Sequence, residues 1–203
     1  TLRRLAELCD TGGAVAAQAA LAQMALASGL YAAPVPGSKA LPTVGLWTPE
    51  GGAMAPAAAR GAAPRASRSI CGKMNGRRVL VVFYRSYLVA ADMAPVEALF
   101  EAFRAEGAEV TGLYAPSLQG AAQSGPLAEA IRDAAPDVII NLTAFSAASG
   151  ESAPVLDAAG VPVFQAVMAT SSRLAWAEAE RGLSPADLAM HVVLPEVDGR
   201  LMG

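Results

Sequence analysis

Two carboxylates and a glycine punctuate the last motif of the chain, Leu194-Pro195-Glu196-Val197-Asp198-Gly199. Glu196 stands between Pro195 and Val197, close to Leu194, and apolar surroundings raise a carboxyl pKa and suit it to proton transfer. Proline before it and glycine behind it close a strand and turn the chain sharply. The segment therefore reads as a short strand over residues 192–194 that presents Glu196 and Asp198 at its end. The alternative is a capping or ion-paired glutamate at a turn. His191 is the only imidazole. Its odd spacing from Glu196 puts the two on opposite sides of an extended segment, so they are no obvious ligand pair. His191 reads as a surface or core-edge residue.

Three other polar groups invite chemistry. Tyr84-Arg85-Ser86-Tyr87 offers a planar guanidinium fork flanked by hydroxyls, a clamp for an anionic or amide-rich ligand. An Arg85 ion pair with Asp92 explains the same residues equally well. Thr143-Ala144-Phe145-Ser146 and Thr170-Ser171-Ser172-Arg173 are hydroxyl-rich. Both could touch a ligand, but serine after a strand is also a normal helix N-cap, the favoured reading for Ser171 and Ser172. No G-x-G-x-x-G and no P-loop occurs, and the segment after residue 84 is too bulky for a flavin phosphate loop. One histidine supports no Ser–His–Asp arrangement.

These groups need strands to position them. Residues 79–84 form a continuous apolar, β-branched run, the mark of a strand buried on both faces. Further strands are expected over 43–47, 109–114, 137–142 and 161–167. Helices are expected over 1–9, 15–30, 95–105, 127–134, 153–159, 173–181 and 185–190. Alternating strands and helices predict an α/β fold with an open, mostly parallel, flavodoxin-like layered sheet, preceded by a short helical segment. Residues 1–42 read as the helical tail of a preceding region, 43–76 as a short strand plus a flexible Ala/Pro/Gly/Arg linker, and 77–203 as the α/β domain. No packed element is expected over 51–76. Ligands of such sheets bind beyond the carboxyl ends of the strands, which singles out 84–92, 114–119, 143–149 and 168–173.

Composition narrows the function classes. The chain has 203 residues, 54% hydrophobic, with a formal net charge of -3. That balance gives no basic excess for a nucleic-acid partner. The local basic cluster Arg60, Arg65, Arg68, Lys73, Arg77 and Arg78 has no interleaved aromatic residue and reads as a solvated loop. Cys9 and Cys71 are far apart in sequence, which excludes a disulfide scaffold or zinc ribbon and makes a reducing cytoplasm the default. Residues 14–27 are too short and too Ala-rich to span a bilayer, so no membrane partner is expected. The chain begins with Thr1 and stops three residues after Arg200. It reads as an excerpt of a larger enzyme.

Several segments, in order, resemble the large subunit of aerobic cobaltochelatase, within the superfamily that includes the magnesium chelatase large subunit. Leu41-Pro42-Thr43-Val44-Gly45-Leu46-Trp47-Thr48-Pro49 is similar to its LPxxGLYWPG element. Phe83-Tyr84-Arg85 followed by Ala94-Pro95 resembles its LFYR and NTAPIDAL elements, and favours the cobalt type. Residues 136–145 resemble PDVILNATGF, Val163-Phe164-Gln165 with Ser171-Ser172-Arg173-Leu174-Ala175-Trp176 resembles VLQ and SSREAW, and 194–199 resemble LPE(V/L)DG. The likeness runs over roughly residues 41–200. It departs where Ala91 and Ala144 replace Gly and Asp92 replaces Asn, and His191 stands where the family commonly has Asn or Gln. The resemblance implies a parent that inserts Co²⁺, as substrate, into hydrogenobyrinic acid a,c-diamide in cobalamin biosynthesis. ATP and Mg²⁺ are then used by an AAA+ ATPase subunit, beside a companion chelatase subunit. It implies Glu196 as base or transient metal ligand with Asp198 orienting it. Arg85, Ser86, Tyr87, Thr143, Phe145, Gln165, Ser171 and Ser172 would contact substrate. A non-catalytic tetrapyrrole-binding or subunit-docking module, or a magnesium chelatase relative, is the alternative.

Overall fold

The computed structural model describes residues 2–30, 41–56, 74–121, 123–145, 147 and 153–197. Two helices, α1 (Leu2–Thr11) and α2 (Gly13–Ala27), come first and meet over a small cluster of Leu8, Ala16 and Ala19. Two short strands follow, β1 (Gly45–Thr48) and β2 (Gly52–Met54). The buried run expected from composition is β3 (Arg78–Tyr84), with Val79 to Phe83 at 2% exposure or less. Then come α3 (Arg85–Ala90), α4 (Ala94–Ala105), β4 (Glu109–Ala115), α5 (Pro126–Ala134), β5 (Val138–Asn141), a 3-10 turn (Val155–Ala159) and β6 (Val163–Gln165). The last elements are α6 (Arg173–Glu178) and α7 (Pro185–Leu188), which passes through a π-helical turn (Ala189–Val193) into α8 (Leu194–Val197).

The six strands form one sheet in the order β2-β1-β4-β3-β5-β6. β3 pairs in parallel with β4 and β5, and β5 with β6, while β1 is antiparallel to both β2 and β4. Numbered among themselves, the four parallel strands run 2-1-3-4, the flavodoxin-like order expected. Crossover helices lie on opposite faces. Val96 and Phe100 of α4 pack on Val79, Val81, Phe83, Val110 and Tyr114, with Trp47 edge-on to Phe100 at 5.1 Å between centroids. Leu127, Ala128 and Ile131 of α5 pack with Val155 and Leu156 on Leu80, Val82, Leu113 and Ile139. α4 ends at Gly107 (φ 87°), the left-handed position where only a glycine is unstrained. Arg104 grips Glu50 with two hydrogen bonds, 2.5 and 3.1 Å, and stacks over Phe100, tying α4 to the β1–β2 turn. Among the described residues no helix is long and apolar enough to cross a membrane.

Three expectations need correction. Composition predicts no packed element over 51–56, but Gly52–Met54 forms β2, because Trp47 and Leu46 offer it a strand to pair with. The remainder of that stretch, with Arg60, Arg65, Arg68, Cys71 and Lys73, lies outside the described residues. The segment after Tyr84 is not the expected loop but the helix α3, ended by Ala91 in the left-handed region (φ 56°). Residues 192–194 are not the expected strand but helical. Ser184 caps α7 by accepting from the Asp187 amide at 3.1 Å, and Pro185 fits the first helical turn. Once started, the helix carries through the β-branched pair Val192-Val193. The ladder widens to π just before Pro195, which has no N–H to offer the carbonyl of His191.

Candidate functional site at the strand ends

The parallel strands finish along one edge, at Tyr84, Ala115, Asn141 and Gln165. The direction of the crossovers reverses between β3 and β5, which makes the gap beyond those two strands the expected ligand crevice. The Tyr84 hydroxyl spans it, accepting from the amides of Ala144 (3.2 Å) and Phe145 (3.3 Å). Thr143 is buried and gives its hydroxyl and amide to Asn141 Oδ1 at 2.9 and 3.2 Å. Asn141 Nδ2 donates to Gln165 Oε1 (2.9 Å), and Gln165 Nε2 donates to the carbonyls of Asn141 (2.6 Å) and Thr143 (3.0 Å). Gln165 and Thr143 thus lock the ends of β5 and β6 together. Asn141 is the hub, and sequence reasoning missed it. Its signal was a lone amide inside the apolar run Val138-Ile139-Ile140-Asn141-Leu142.

Arg85 neither pairs with Asp92 nor points unengaged at solvent. Its Nε and Nη2 donate to the carbonyls of Pro42 (3.2 Å) and Leu41 (3.3 Å), and Nη1 has no partner among the described residues. Ser86 is exposed on α3, and Tyr87 is half-buried. Burial, then the negative charge of Asp92, then Tyr84 push the Tyr87 phenol above its ordinary pKa. The Tyr114 hydroxyl lies buried with no hydrogen-bond partner among the described residues. Burial raises its pKa, and the positive charge of Arg85 partly offsets that. The far end of β4 is therefore a buried, weakly satisfied patch within electrostatic reach of the Arg85 guanidinium.

A second centre forms after β6. Asp187 is fully buried, and its carboxylate accepts from the Thr170 amide (2.6 Å) and hydroxyl (2.7 Å), the Ser171 amide (3.3 Å) and hydroxyl, and the Ser184 hydroxyl (2.8 Å). The Ser171 and Thr170 donors hold its pKa far below the usual carboxylate range. His191 Nε2, 3.8 Å from Asp187 Oδ1, is buried without a hydrogen-bond partner among the described residues. Ser172 is the N-cap of α6, accepting from the Ala175 amide at 3.1 Å, as expected for a serine there. Ser171 is drawn instead to Asp187. Asp187 was missed by sequence reasoning, although Ser184-Pro185-Ala186-Asp187 has the spacing of a capping box.

Glu196 sits on α8, exposed, one turn beyond the π-helical segment, and not at a strand end. Leu194 and Val197 are 41% and 81% exposed, so they do not enclose its carboxylate. It makes no hydrogen bond or ion pair among the described residues. His191 and Glu196 share one helical run, so the alternation of an extended segment does not govern them. Asp198 and Ser146 lie outside the described residues. Among the described residues no three His, Cys, Asp or Glu side chains gather to hold a metal ion.

A sequence profile for the family described as CobN/Magnesium Chelatase matches residues 11–203. The chain belongs to that family. It is 40% identical over 125 residues to the aerobic cobaltochelatase subunit CobN of a Sinorhizobium species, a match covering 60% of this chain and 10% of the relative. It is 31% identical over 134 residues to a magnesium-chelatase subunit of Cereibacter sphaeroides, covering 61% and 11%. Its fold is similar to the catalytic subunit of cobaltochelatase from Mycobacterium tuberculosis, with a TM-score of 0.60 at 24% identity over 94% of this chain and 15% of that one. The chain spans about a tenth of the length of the curated relatives it matches.

Proposed function

We propose that this chain is a segment of a cobaltochelatase large subunit and forms part of the surface on which Co²⁺ enters hydrogenobyrinic acid a,c-diamide during cobalamin biosynthesis. The observation that carries this reading is the 40% identity to an aerobic cobaltochelatase subunit, against 31% to a magnesium chelatase subunit. ATP and Mg²⁺ serve a separate AAA+ subunit, which acts with a companion chelatase subunit in the cytoplasm. The strand-end groups support the reading chemically. Arg85 and Tyr87 suit the carboxylate and amide arms of a corrinoid.

Metal insertion releases ring N–H protons, so a carboxylate beside the macrocycle speeds it. Co²⁺ also accepts oxygen ligands. Glu196, exposed and without a partner among the described residues, is the residue assigned both roles in this proposal, with Asp198 to orient it. In the full subunit with its partners, Glu196→Gln lowers kcat by roughly a hundredfold or more, with macrocycle affinity retained. Full chelatase activity in that variant would sink the assignment. A second reading, a module that only positions macrocycle or partner subunits, draws on the same exposure of Glu196, and unchanged activity would favour it.

A further inference from the structure

α6, α7 and the turn between them border an open pocket of about 450 Å³, lined by other residues than the crevice between β3 and β5. Its lining includes Ser171, Trp176, Arg181, Leu183, Ser184 and Pro185. Its floor is apolar, and two of its hydroxyls are fixed, because Ser171 and Ser184 both donate to the buried Asp187 carboxylate. The two tryptophans of the chain have opposite fates. Trp47 is 6% exposed in the core, whereas Trp176 is 52% exposed beside this pocket. Gly182 (φ 74°) forms the turn below it, and a Cβ there would stand 3.9 Å from the indole Nε1. Arg181 makes no ion pair among the described residues, although Glu180 also lines the pocket.

A half-exposed indole beside an unpaired guanidinium recognises a flat π-system that bears a carboxylate. The ring stacks on the indole, and the fork takes the carboxylate in a bidentate pair. The volume lies within the range of small-molecule sites but holds only the edge of a large macrocycle. We infer that the pocket between α6 and α7 is a subsite for one carboxylate-bearing edge of a tetrapyrrole, with Trp176 stacking on the ring and Arg181 holding the acid arm. The inference rests on the tetrapyrrole reading above and adds residues that reading does not use. Asp187 acts as the positioning residue of the subsite, since it holds two wall hydroxyls in place.

The test uses the full 203-residue chain, with hydrogenobyrinic acid a,c-diamide and its methyl ester as probes. Binding is followed by macrocycle absorbance and by tryptophan emission. The expected result is a saturable absorbance shift together with quenching that vanishes in Trp176→Phe, where Trp47 is the remaining emitter. Arg181→Gln weakens the acid about tenfold and the ester less than twofold. Both positions are exposed, so the variants keep the wild-type circular dichroism. An absorbance shift without Trp176 quenching, or the same fold loss of affinity for acid and ester on going from wild type to Arg181→Gln, overturns the subsite and leaves the tetrapyrrole reading standing. Absence of any absorbance shift counts against both. Quenching by ATP as strong as by the macrocycle also overturns the subsite, since it would show a nucleotide pocket.

Discussion

Gly45 is the position where a single methyl group tests the end of the sheet nearest Arg85. Gly45 pairs directly with Tyr114 across the antiparallel β1–β4 ladder, and the tyrosine ring folds over the space a side chain would fill. A Cβ on Gly45 would stand 2.6 Å from the Met54 carbonyl oxygen and 2.6 Å from Tyr114 Cζ, and closer still to the Tyr114 hydroxyl. The first of these is backbone and cannot swing away. Gly45→Ala therefore forces β1 and β2 apart or drives the ring off its rotamer, an overpacking cost of about 1–3 kcal/mol. Tyr114→Phe has the opposite sign. Its hydroxyl is buried without a partner among the described residues, so removing it recovers about 1 kcal/mol of desolvation cost. In the double variant the worst contact is gone but Cζ and the Met54 carbonyl remain, so the two changes couple by about 0.5–1 kcal/mol. The assay is urea unfolding of the four proteins of the cycle. At this chain length about 1 kcal/mol shifts Tm by roughly 2–4 °C, which gives an independent check. Gly45→Ala within about 0.5 kcal/mol of wild type, or Tyr114→Phe destabilised by more than about 1 kcal/mol, would refute the packing argument.

Other outcomes follow from single residues. Ala91 holds a left-handed conformation (φ 56°) at the end of α3, so Ala91→Gly removes strain and leaves the protein more stable by up to about 1 kcal/mol, read from the urea midpoint. Phe100 is fully buried against Trp47, and Phe100→Ala costs about 3–5 kcal/mol and red-shifts Trp47 emission as water enters. The Asp187 carboxyl has a pKa lowered by Ser171 and Thr170, so its stabilisation is present above the unfolded value of about 3.9 and is lost as pH falls below it. Asp187→Asn therefore lowers Tm near neutrality, and the gap to wild type narrows as the pH drops from about 6 towards 2. A gap that stays constant across that range would mean that the charge is not what holds the loop.

What was legible in the sequence was the sheet. The β-branched run of β3, the amphipathic spacing of α4 and the apolar stretch of β5 each carry their own signal, and the parallel order follows from strands alternating with helices. The errors share one cause, which is competition between local propensity and neighbours far away in sequence. Gly52–Met54 looks like linker by composition, yet an unpaired edge of β1 recruits it. Residues 192–194 look like a strand by composition, yet a capped helix begins eight residues earlier at Ser184 and carries through them. Ala91 shows the reverse. A position where the resembled motif has glycine proved to be left-handed, so the departure from the motif has a structural meaning that no periodicity argument contains.

The same competition relocates the chemistry. Read as a strand end, Glu196 would share an edge with Tyr84, Thr143 and Gln165, and a single crevice would hold every candidate residue. As a helix it leaves that edge, and the polar groups sort by what they already bind. Thr143, Asn141 and Gln165 satisfy one another, and Arg85 spends two donors on backbone carbonyls. A side chain committed in this way shapes a surface more than it seizes a ligand. Among the described residues the groups with unspent capacity are Arg85 Nη1, Trp176, Arg181 and Glu196, on α3, α6, the turn after it and α8, while the Tyr114 hydroxyl is unsatisfied but fully buried. The exposed, uncommitted side chains therefore concentrate after β6 rather than around the Asn141 hub.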